Sequence, residues 1–257
     1  MVVTTFNSPD YLRWVVESVL WQTKLPDEII VADDGSDVGT TLVVDSLKQT
    51  SRIPLIHSFL PDGGFRLARS RNLAASKAIG DWLMFLDGDC ILPPYFIERQ
   101  LSVAKPANLV FCGRKLATRQ QTIEITRSAP CLSKVKSAFT GRKFLRLYMG
   151  SFRRIPRRNW THARGFFLGL SRVSFEQIGG FDESYESWGL EDSDFVLRAQ
   201  RHGLQLTDAR YLISVLHMYH EEAPKGEKSQ NVSQFENLIS ETSRVSPRRS
   251  ILKANPR

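Results

Sequence analysis

The chain has 257 residues, of which 42% are hydrophobic and 24% are charged, a balance that is ordinary for a soluble globular protein. This length can bury a sizeable core, and no apolar run approaches the roughly 20 residues that a membrane-spanning helix needs. The N-terminal residues do not resemble a signal peptide, and Cys90, Cys112 and Cys131 are an odd, widely spaced set. The sequence therefore predicts reduced thiols and a cytoplasmic location, without a disulfide framework.

The net charge of +8 is concentrated in one segment of the chain. Residues 114–164, which we call the basic insertion, contain fourteen Lys and Arg residues and a single acid, Glu124. This segment carries +13, so the rest of the chain carries about −5. Such a block favours an anionic partner (a membrane surface, a phosphorylated glycan or a nucleic acid), although a solvated face would look the same. It contains no nucleic-acid recognition module, so we expect no nucleic-acid polymer as partner.

Residues 1–113 alternate between short apolar runs and segments with helical periodicity. The predicted strands are "MVVTTF", "DEIIVADDGS", "IPLIHSF", "GDWLMFLDGD" and "NLVFCGR". The predicted helices are "SPDYLRWVVESVLWQT", with Ser8 as N-cap and Pro9 first in the helix, "VGTTLVVDSLKQT", "RLARSRNLAASKA" and "PPYFIERQLSVA". This alternation predicts an α/β fold with a mostly parallel central sheet flanked by helices. In open sheets of this kind, ligands bind beyond the carboxyl ends of the strands.

Three of the predicted strands end in polar residues, in "TTFN", "ADDGS" and "LDGD". Asp87 and Asp89, separated by Gly88, offer the oxygen ligands that Mg²⁺ or Mn²⁺ prefers when it also binds phosphate oxygens. An Asp-rich turn is the structural alternative for so short a motif. After the second strand, Asp33 or Asp34 can accept hydrogen bonds from a nucleobase or ribose, or can instead form the turn into the next helix.

The segment "FRLARSRN" precedes the strand that carries the paired aspartates. One of Arg66, Arg69 and Arg71 could donate a bidentate pair of hydrogen bonds to a pyrophosphate. The structural alternative is a solvated helix face, and we expect at least one of the three arginines to lie on such a face.

The segment "YESWGLEDSDF" is the most specific part of the second half of the chain. Trp188 and Gly189 offer an apolar platform on a bendable backbone, which suits the face of a sugar ring. Glu191, Asp192 and Asp194 cluster at the start of a helix, where the helix dipole favours carboxylates. One of them could therefore be a general base toward a hydroxyl group, with helix capping as the alternative.

Other segments of the second half carry weaker signals. The segment "LHMYHEE" supplies His217 and His220, and either imidazole could complete a metal site with Asp89, with His220 favoured. Residues 133–148 are predicted to form a cationic amphipathic helix, which Gly141 weakens. The polar residues 224–257 are predicted to be a weakly ordered tail.

Taken together, these segments resemble the family 2 glycosyltransferases of the GT-A fold. The resemblance covers roughly residues 1–225 and rests on "TTFNSPDYL", "IIVADDGS", "RSRNLAA", "GDWLMFLDGD", "IGGFDESYESWGLEDSDF" and "MYHEEAPKGE". The second half is similar to the galactosyltransferase-type domain of bacterial chondroitin polymerase and animal β-1,4-galactosyltransferases, in which a W-G-G-E-D segment holds the acceptor and the base. Leu190 stands at the second glycine of that segment, so the fit of the acceptor is expected to differ.

The resemblance implies an inverting, metal-dependent transfer of a hexose or N-acetylhexosamine from a UDP-sugar to a glycan or lipid-linked acceptor, in cell-surface polysaccharide or lipopolysaccharide synthesis. It implies Asp192 as the catalytic base, and Asp89 with His220 as ligands of Mn²⁺ or Mg²⁺. Together with the patterns above, it predicts an acceptor site of Trp188, Gly189 and Glu191. The predicted nucleotide-sugar site consists of Thr5, Phe6, Asn7, Asp33, Asp34, Arg66, Arg71, Asp87 and Gly88.

We expect a single domain in which residues 1–113 bind the nucleotide sugar and residues 165–223 bind the acceptor and carry the base. The basic insertion separates these halves and is expected to attach peripherally to anionic lipid at the inner face of the membrane. A nucleotidyltransferase on a similar sheet is the alternative class. It would release pyrophosphate and would usually carry a Gly-rich phosphate loop near the N-terminus, where this sequence has none.

Overall fold

The structure, a computed structural model, describes residues 1–61, 63–139, 155–157, 160–221 and 228–254. The helices are α1 (Pro9–Leu20), α2 (Val38–Thr50), α3 (Leu67–Ser76), α4 (Phe96–Leu101), α5 (Arg119–Thr126), α6 (Leu132–Ala138), α7 (Arg172–Ile178), α8 (Glu191–Arg201), α9 (Lys228–Ser240) and α10 (Ile251–Ala254). The strands are β1 (Val2–Thr5), β2 (Ile29–Asp33), β3 (Leu55–Phe59), β4 (Trp82–Leu86), β5 (Cys90–Ile91), β6 (Asn108–Phe111), β7 (Gly113–Leu116), β8 (Ile155–Arg157), β9 (Phe167–Ser171), β10 (Gln205–Asp208) and β11 (Ser214–His217).

Eight strands form the main sheet in the order β3-β2-β1-β4-β9-β6-β10-β8. Strands β3, β2, β1 and β4 pair in parallel, as do β6 and β10. Strand β9 runs antiparallel between β4 and β6, and β8 runs antiparallel to β10. The predicted α/β class with a mostly parallel central sheet is therefore confirmed.

A second, three-stranded sheet in the order β5-β11-β7 lies outside the predicted pattern. Strand β11 pairs antiparallel with β5 and parallel with β7. Because β5 contains only two residues, it has no periodicity that a sequence could reveal. This small sheet brings the segment after Asp89 next to His217, whose Cα is opposite that of Cys90.

The central strands are buried on both faces, which explains their continuous apolar runs. In β1, Val2 packs into one hydrophobic cluster and Val3 into the other, on the opposite side of the sheet. Residues Met84 and Phe85 of β4 divide between the same two clusters. Since successive side chains of a strand point to opposite faces, a strand covered on both sides must be apolar at every position. Polar residues can therefore appear only where these strands end.

The first helix begins where the sequence predicts, with Ser8 as N-cap and Pro9 at its first position. The hydroxyl of Ser8 does not cap the helix, because it donates to the carbonyl oxygen of Phe6 at 3.0 Å. This contact keeps the chain turned sharply between the end of β1 and α1.

The predicted cationic helix over residues 133–148 is shorter in the structure. Helix α6 ends at Ala138 with Phe139 as its C-cap, and residues 140–148 lie outside the described part of the chain. Val135 and Phe139 are buried in the main core, and their packing holds the end of α6 in place.

The prediction of a weakly ordered C-terminal tail is wrong for residues 228–254. Helix α9 buries Asn231, Phe235 and Leu238, which are at most 6% exposed. The guanidinium of Arg244 lies 3.1 Å from the buried carboxylate of Asp194 in α8. Only two of the three inward residues are apolar, while the apolar Val232 and Ile239 are exposed, and this explains why the hydrophobic pattern of the helix is weak.

Within the described ranges, no helix combines the length and the apolar character that crossing a membrane would require.

Candidate active site

A cavity of about 420 Å³ opens at the carboxyl ends of β1, β2 and β4. The parallel register pairs Thr5 with Asp33, and Val3 with Leu86, so the three strands end at the same edge of the sheet. The cavity brings together six of the predicted nucleotide-sugar and metal residues. Its lining residues are Thr4, Thr5, Phe6, Ser8, Asp34, Gly64, Phe65, Leu67, Asp87, Gly88 and Asp89.

Gly88 sits where the backbone of β1 passes closest to the turn after β4. A Cβ atom at this position would lie 2.1 Å from the carbonyl oxygen of Thr4. Only glycine lets the two chain segments approach so closely. The glycine between the two aspartates therefore shapes the turn that aims Asp87 and Asp89 at the cavity.

The structure separates the roles of Asp33 and Asp34. Asp33 is fully buried, and its carboxylate accepts hydrogen bonds from the Nε2 of His57 at 2.8 Å and from the backbone N–H of Ser36 at 2.9 Å. Burial alone would raise the pKa of Asp33, but these hydrogen bonds lower it below its usual value. Asp33 thus holds the turn after β2, while Asp34 lines the cavity.

Asn7 also supports the strand ends and is absent from the cavity wall. Its backbone N–H donates to the hydroxyl of Ser36, and its side-chain oxygen accepts from the N–H of Asp37 at 2.8 Å. Its φ of 46° is left-handed, a conformation that asparagine adopts more readily than most residues. The structure gives Asn7 the role of fastening the loop after β1 to the start of α2.

Arg71 is the largest departure from the predicted nucleotide-sugar site. It is 1% exposed, with its Nη2 at 2.8 Å from Asp87 and its Nη1 at 3.2 Å from Glu191. Its guanidinium also lies over the ring of Phe181, 5.1 Å from the centroid. The structure thus pairs the guanidinium of Arg71 with two carboxylates and leaves it out of the cavity lining, and its role as a phosphate ligand stays a prediction.

Neither of the other two arginines of that segment lines the cavity. The backbone N–H of Arg66 donates to the carboxylate of Asp34 at 2.7 Å, and its side chain donates to the carbonyl oxygen of Pro61. Arg69 is exposed on the surface of α3, as the solvated-face alternative describes. Arg66 thus supports the cavity through Asp34 and the loop that precedes α3.

Asp87 is partly buried beside two other charged groups, Arg71 and Asp89. Desolvation raises the pKa of Asp87 to about 6, against the opposing effect of Arg71, and the negative charge of Asp89 adds to the increase. Its backbone N–H donates to the carbonyl oxygen of Phe166 at 3.1 Å, which joins β4 to the start of β9. Asp87 is therefore fixed at both its backbone and its carboxylate.

Asp89 meets two imidazoles. Its Oδ2 lies 3.2 Å from the Nε2 of His220 and 3.4 Å from the Nε2 of His217. The thiol of Cys90 donates to the other carboxylate oxygen at 3.1 Å. The carbonyl oxygen of Asp89 accepts from the N–H of Met218 at 2.9 Å, so the pairing of β5 with β11 builds this cluster.

The protonation of this cluster follows from its contacts. Burial alone would raise the pKa of Asp89, but the hydrogen bond from His220 and the nearby His217 lower it overall. The hydrogen bond with Asp89 raises the pKa of His220 to about 9, whereas burial lowers the pKa of His217. Burial and the neighbouring carboxylates raise the pKa of Cys90 well above its usual value, which keeps it a neutral thiol.

Ligand atoms of Asp89, Cys90 and His217 lie within 4.8 Å of one another, and His220 joins them through Asp89, so this cluster could hold a divalent cation. Ligand bonds of about 2.0–2.2 Å at right angles place neighbouring donor atoms about 3 Å apart, close to the two separations measured here. Two imidazoles beside a carboxylate favour a borderline ion such as Mn²⁺ over Mg²⁺, which prefers an all-oxygen shell. The sequence favoured His220 over His217, and the structure brings both to Asp89.

Asp192 is held at the start of α8 by two backbone donors. Its Oδ2 accepts from the N–H of Gly165 at 2.6 Å, and its Oδ1 accepts from the N–H of Ser193 at 2.7 Å. A Cβ atom on Gly165 would lie 2.8 Å from the Cβ of Asp192. Gly165 is therefore a functional candidate that the sequence does not single out, since its partner lies 27 residues away.

Glu191 is buried and does not open to the surface as an acceptor-lining side chain. It is 6% exposed, and desolvation together with Asp192 raises its pKa to about 7 although Arg71 opposes the shift. Its Oε2 has no hydrogen-bond partner among the described residues. The structure thus buries Glu191 against Arg71, directly before Asp192 in the chain.

Trp188 and Gly189 remain at the surface as the sequence predicts for a sugar platform. Trp188 is 46% exposed, and Gly189 has a φ of 97°. Leu190 follows with a φ of 75°, a left-handed conformation that glycine adopts without penalty and leucine does not. The substitution noted at this position therefore leaves the backbone in the conformation that suits a glycine.

The sequence and the fold place this chain in a defined class. Residues 1–179 match the sequence model of the family described as Glycosyl transferase family 2, and residues 150–221 match that of the N-terminal domain of galactosyltransferase. Since the first match covers well over half of the chain, the protein belongs to glycosyltransferase family 2.

Several curated proteins are similar to this chain. Validoxylamine A glucosyltransferase of Streptomyces hygroscopicus subsp. limoneus is 27% identical over 225 residues, which cover 82% of this chain and 49% of that protein. The O-antigen biosynthesis protein RfbC of Myxococcus xanthus is 28% identical over 214 residues, 80% of this chain and 16% of that protein. Hyaluronan synthase of Pasteurella multocida is 24% identical over 243 residues, 87% of this chain and 24% of that protein. The chain spans about half or less of the length of these relatives.

Solved structures share the fold at low sequence identity. TarS of S. aureus, residues 1–349 in complex with UDP-GlcNAc, superposes with a TM-score of 0.66 at 16% identity, covering 94% of this chain and 65% of that chain. Mannosyltransferase PcManGT from Pyrobaculum calidifontis, in complex with GDP-Man and Mn²⁺, gives a TM-score of 0.54 at 18% identity, covering 93% and 61%. These similarities confirm the predicted GT-A fold.

Proposed function

We propose that this chain is an inverting, metal-dependent glycosyltransferase that moves a hexose or N-acetylhexosamine from a UDP-sugar to a glycan or lipid-linked acceptor. The observation that carries the proposal is the bridge made by Arg71 between Asp87, in the cavity wall, and Glu191, next to Asp192. The bridge keeps the carboxylate at the start of α8 beside the cavity. Transfer from a donor to an acceptor hydroxyl requires this proximity of base and donor site.

The cavity suits a nucleotide sugar in size and lining. Its volume of about 420 Å³ lies in the range of small-molecule sites, about 300–1,000 Å³. Phe6 is 52% exposed at the cavity wall and offers a face for a base, while Asp34 offers hydrogen-bond acceptors. The structural similarity to TarS, whose complex contains UDP-GlcNAc, supports a uridine nucleotide as donor.

Asp89, His217 and His220 would hold a divalent ion, and their mixed oxygen and nitrogen donors favour Mn²⁺. When bound, the ion would supply positive charge that stabilises the leaving UDP. The similarity to PcManGT, whose complex contains Mn²⁺, supports this ion. The neutral Cys90 thiol supports Asp89 by a hydrogen bond and is not proposed as a ligand.

Asp192 is the proposed general base. It would take the proton from the acceptor hydroxyl, whose oxygen attacks the anomeric carbon on the face opposite the leaving UDP and so inverts its configuration. The N–H groups of Gly165 and Ser193 orient the carboxylate for this step. The exposed indole of Trp188 would pack against the acceptor ring.

The test is the release of UDP from UDP-Gal, UDP-GalNAc, UDP-Glc and UDP-GlcNAc, measured with Mn²⁺ and again with EDTA. We expect one or more donors to be turned over in the presence of Mn²⁺ and none to be turned over in EDTA. In transfer to methyl β-glycosides of the same four sugars, Asp192→Asn should lower kcat about 10²- to 10⁴-fold, because it removes the general base. Asp45→Asn, on the exposed face of α2, is the matched control and should retain full turnover.

Full transfer by Asp192→Asn would refute the assigned base, and turnover of a donor in EDTA would refute the metal dependence. Release of pyrophosphate instead of UDP would favour the nucleotidyltransferase alternative.

The basic insertion is proposed to bind anionic lipid and to bring the site close to a lipid-linked acceptor. In its described part, Arg114, Arg119, Arg127, Lys134 and Lys136 are exposed, while Arg153, Arg154, Arg157 and Arg158 have side chains outside the described part. Neutralising the latter four should weaken co-sedimentation with phosphatidylglycerol vesicles, since each basic residue near such a surface contributes about 1 kcal/mol. Unchanged sedimentation would contradict lipid binding. The cytoplasmic location stays a prediction.

A further inference from the structure

The C-terminal segment contacts the acceptor loop although it lies outside both family matches. Those matches end at residues 179 and 221, whereas α9 begins at Lys228. The acceptor loop, residues 187–190, carries the exposed Trp188 between the start of α8 and the core. What the segment does to this loop is therefore a property of this chain and not of the matched family regions.

Asn231 of α9 holds the acceptor loop by two hydrogen bonds. Its Nδ2 lies 2.8 Å from the carbonyl oxygen of Ser187 and 2.8 Å from that of Gly189. Its side chain is 2% exposed, so water does not compete for these carbonyls. The two N–H groups of one amide thus hold the peptide plane before Trp188 and the one after Gly189, which brackets Trp188 and restricts the direction of its indole.

Apolar contacts from the same helix hold the next residue of the loop. Leu190 packs against a cluster formed by Leu197 of α8 and by Phe235 and Leu238 of α9. A left-handed backbone is strained for leucine, and this packing stabilises Leu190 in that conformation. A Cβ atom on Gly189 would meet no atom within 4 Å, so packing does not restrain this residue, whereas the hydrogen bond from Asn231 to its carbonyl does.

We propose that Asn231 is a positioning residue for the acceptor loop and that it determines acceptor affinity through the orientation of Trp188. The proposal rests on the proposed function, in which Trp188 binds the acceptor. Asparagine is suited to the role because its amide presents two donors to two carbonyl oxygens, whereas an aspartate of the same shape presents none.

The experiment compares Asn231→Ala and Asn231→Asp with the wild-type chain by amide hydrogen exchange and by kinetics. The matched control is Asn237→Ala, the same substitution on the exposed side of the same helix. We expect exchange of the amides of residues 187–191 to rise about tenfold in both Asn231 variants, while the amides of β1 and β2 keep the wild-type rate. Asn237→Ala should match the wild type throughout.

The kinetic measurement uses UDP-GlcNAc, UDP-Glc, UDP-Gal and UDP-GalNAc as donors and the methyl β-glycosides of the same sugars as acceptor probes. We expect the KM for the acceptor to rise about tenfold in the Asn231 variants, while donor hydrolysis without an acceptor stays within about twofold of wild type. A structural defect would instead reduce both reactions together.

Two results would overturn the proposal. One is wild-type exchange at residues 187–191 in Asn231→Ala, and the other is a uniform rise of exchange across the chain, which would mean a general packing role. If the wild-type chain turns over none of the four donors, the proposed function fails, yet the exchange measurement still decides whether Asn231 holds the loop.

Discussion

In the turn between Asp87 and Asp89, the backbone of Thr4 leaves room only for a glycine at position 88. The motif is visible in the sequence, and its position after an apolar run predicts that it meets other strand ends. The reason for the glycine is not visible, because the carbonyl oxygen of Thr4 that excludes a side chain is 84 residues away.

Replacing Gly88 by alanine should abolish donor binding. The added Cβ would sit 2.1 Å from the carbonyl oxygen of Thr4, so either β1 or the turn must move, at a cost of about 1–3 kcal/mol in stability. We expect kcat/KM for UDP-sugar hydrolysis to fall at least about 100-fold, since a displacement of about 1 Å has such an effect.

The control for this change is Gly80→Ala, where the added Cβ would meet its nearest neighbour at 3.8 Å. It should keep wild-type kinetics and thermal stability. Wild-type turnover by Gly88→Ala would contradict the close approach of the two segments.

Glu191 should make the stability of the chain depend on pH. Its pKa of about 7 in the fold lies above its ordinary value of 4.5, because burial and Asp192 disfavour the charged form. The folded state therefore binds more protons between these values, and the stabilisation present below about pH 4.5 is lost as the pH rises to about 7.

Urea unfolding of the wild type and of Glu191→Gln at several pH values between 4.5 and 7 measures this effect. The free energy of unfolding of the wild type, relative to the variant, should fall across that window by roughly 1–3 kcal/mol. A constant difference would show that the carboxyl keeps its ordinary pKa.

At the scale of elements, helix α5 supports the segment from His217 to His220. Thr122 is 3% exposed, and its Oγ1 accepts from the N–H of Tyr219 at 2.8 Å. The hydroxyl of Tyr11 in α1 donates to the carbonyl oxygen of the same residue at 2.8 Å. Helices α1 and α5 thus both hold the backbone of Tyr219, which lies between His217 and His220. Since α5 is the first helix of the basic insertion, the insertion contributes to the site.

Thr122→Val keeps the shape of the side chain but removes this acceptor. The N–H of Tyr219 is partly buried, so the loss of its acceptor should cost up to about 1.5 kcal/mol, and we expect the segment to loosen and the affinity for Mn²⁺ to fall up to about tenfold. Titration calorimetry with Mn²⁺ measures the change. Thr126→Val, one turn further along α5, should bind as the wild type does, and equal loss in both variants would contradict the role of Thr122.

The strands β1, β2 and β4 are the elements that the sequence predicts best. Their apolar runs are continuous because both faces are covered, and their polar ends follow from the parallel arrangement. The strands β5, β7 and β11 escaped prediction, since two to four residues carry too little periodicity. They nonetheless determine that His217 and His220 reach Asp89.

At the scale of the whole molecule, a buried ionic network joins the C-terminal segment to helix α8 and the loop that precedes it. Arg244 is within 3.1 Å of Asp194 and 3.6 Å of Asp182, and both carboxylates are fully buried. Asp194 also pairs with Arg198 at 2.5 Å. The segment is therefore part of the fold, because removing it would leave two carboxylates buried beside a single guanidinium.

Arg244→Met should lower the free energy of unfolding by about 3–5 kcal/mol, the usual cost of removing one partner of a buried ion pair. Urea denaturation measures the change. Arg248→Met is the matched control, since Arg248 is 42% exposed in its side chain and lies 3.6 Å from Glu241 at the surface. An exposed pair is worth at most about 1 kcal/mol, so equal effects in the two variants would contradict the buried network.

The sequence by itself determined the fold class and the strand ends that line the cavity, and it predicts the groups that would bind metal or take a proton. These follow from local patterns, since an apolar run, a turn glycine and a carboxylate pair are each encoded within a few residues. Only the tertiary structure decided which groups stay open to a ligand. Asp33 and Asp34 carry the same carboxylate, yet only Asp34 lines the cavity, because Asp33 is buried against His57, 24 residues away. Arg71 likewise pairs with Glu191, 120 residues away. The partners of a buried charge depend on contacts that are distant in sequence, and no local pattern records those contacts.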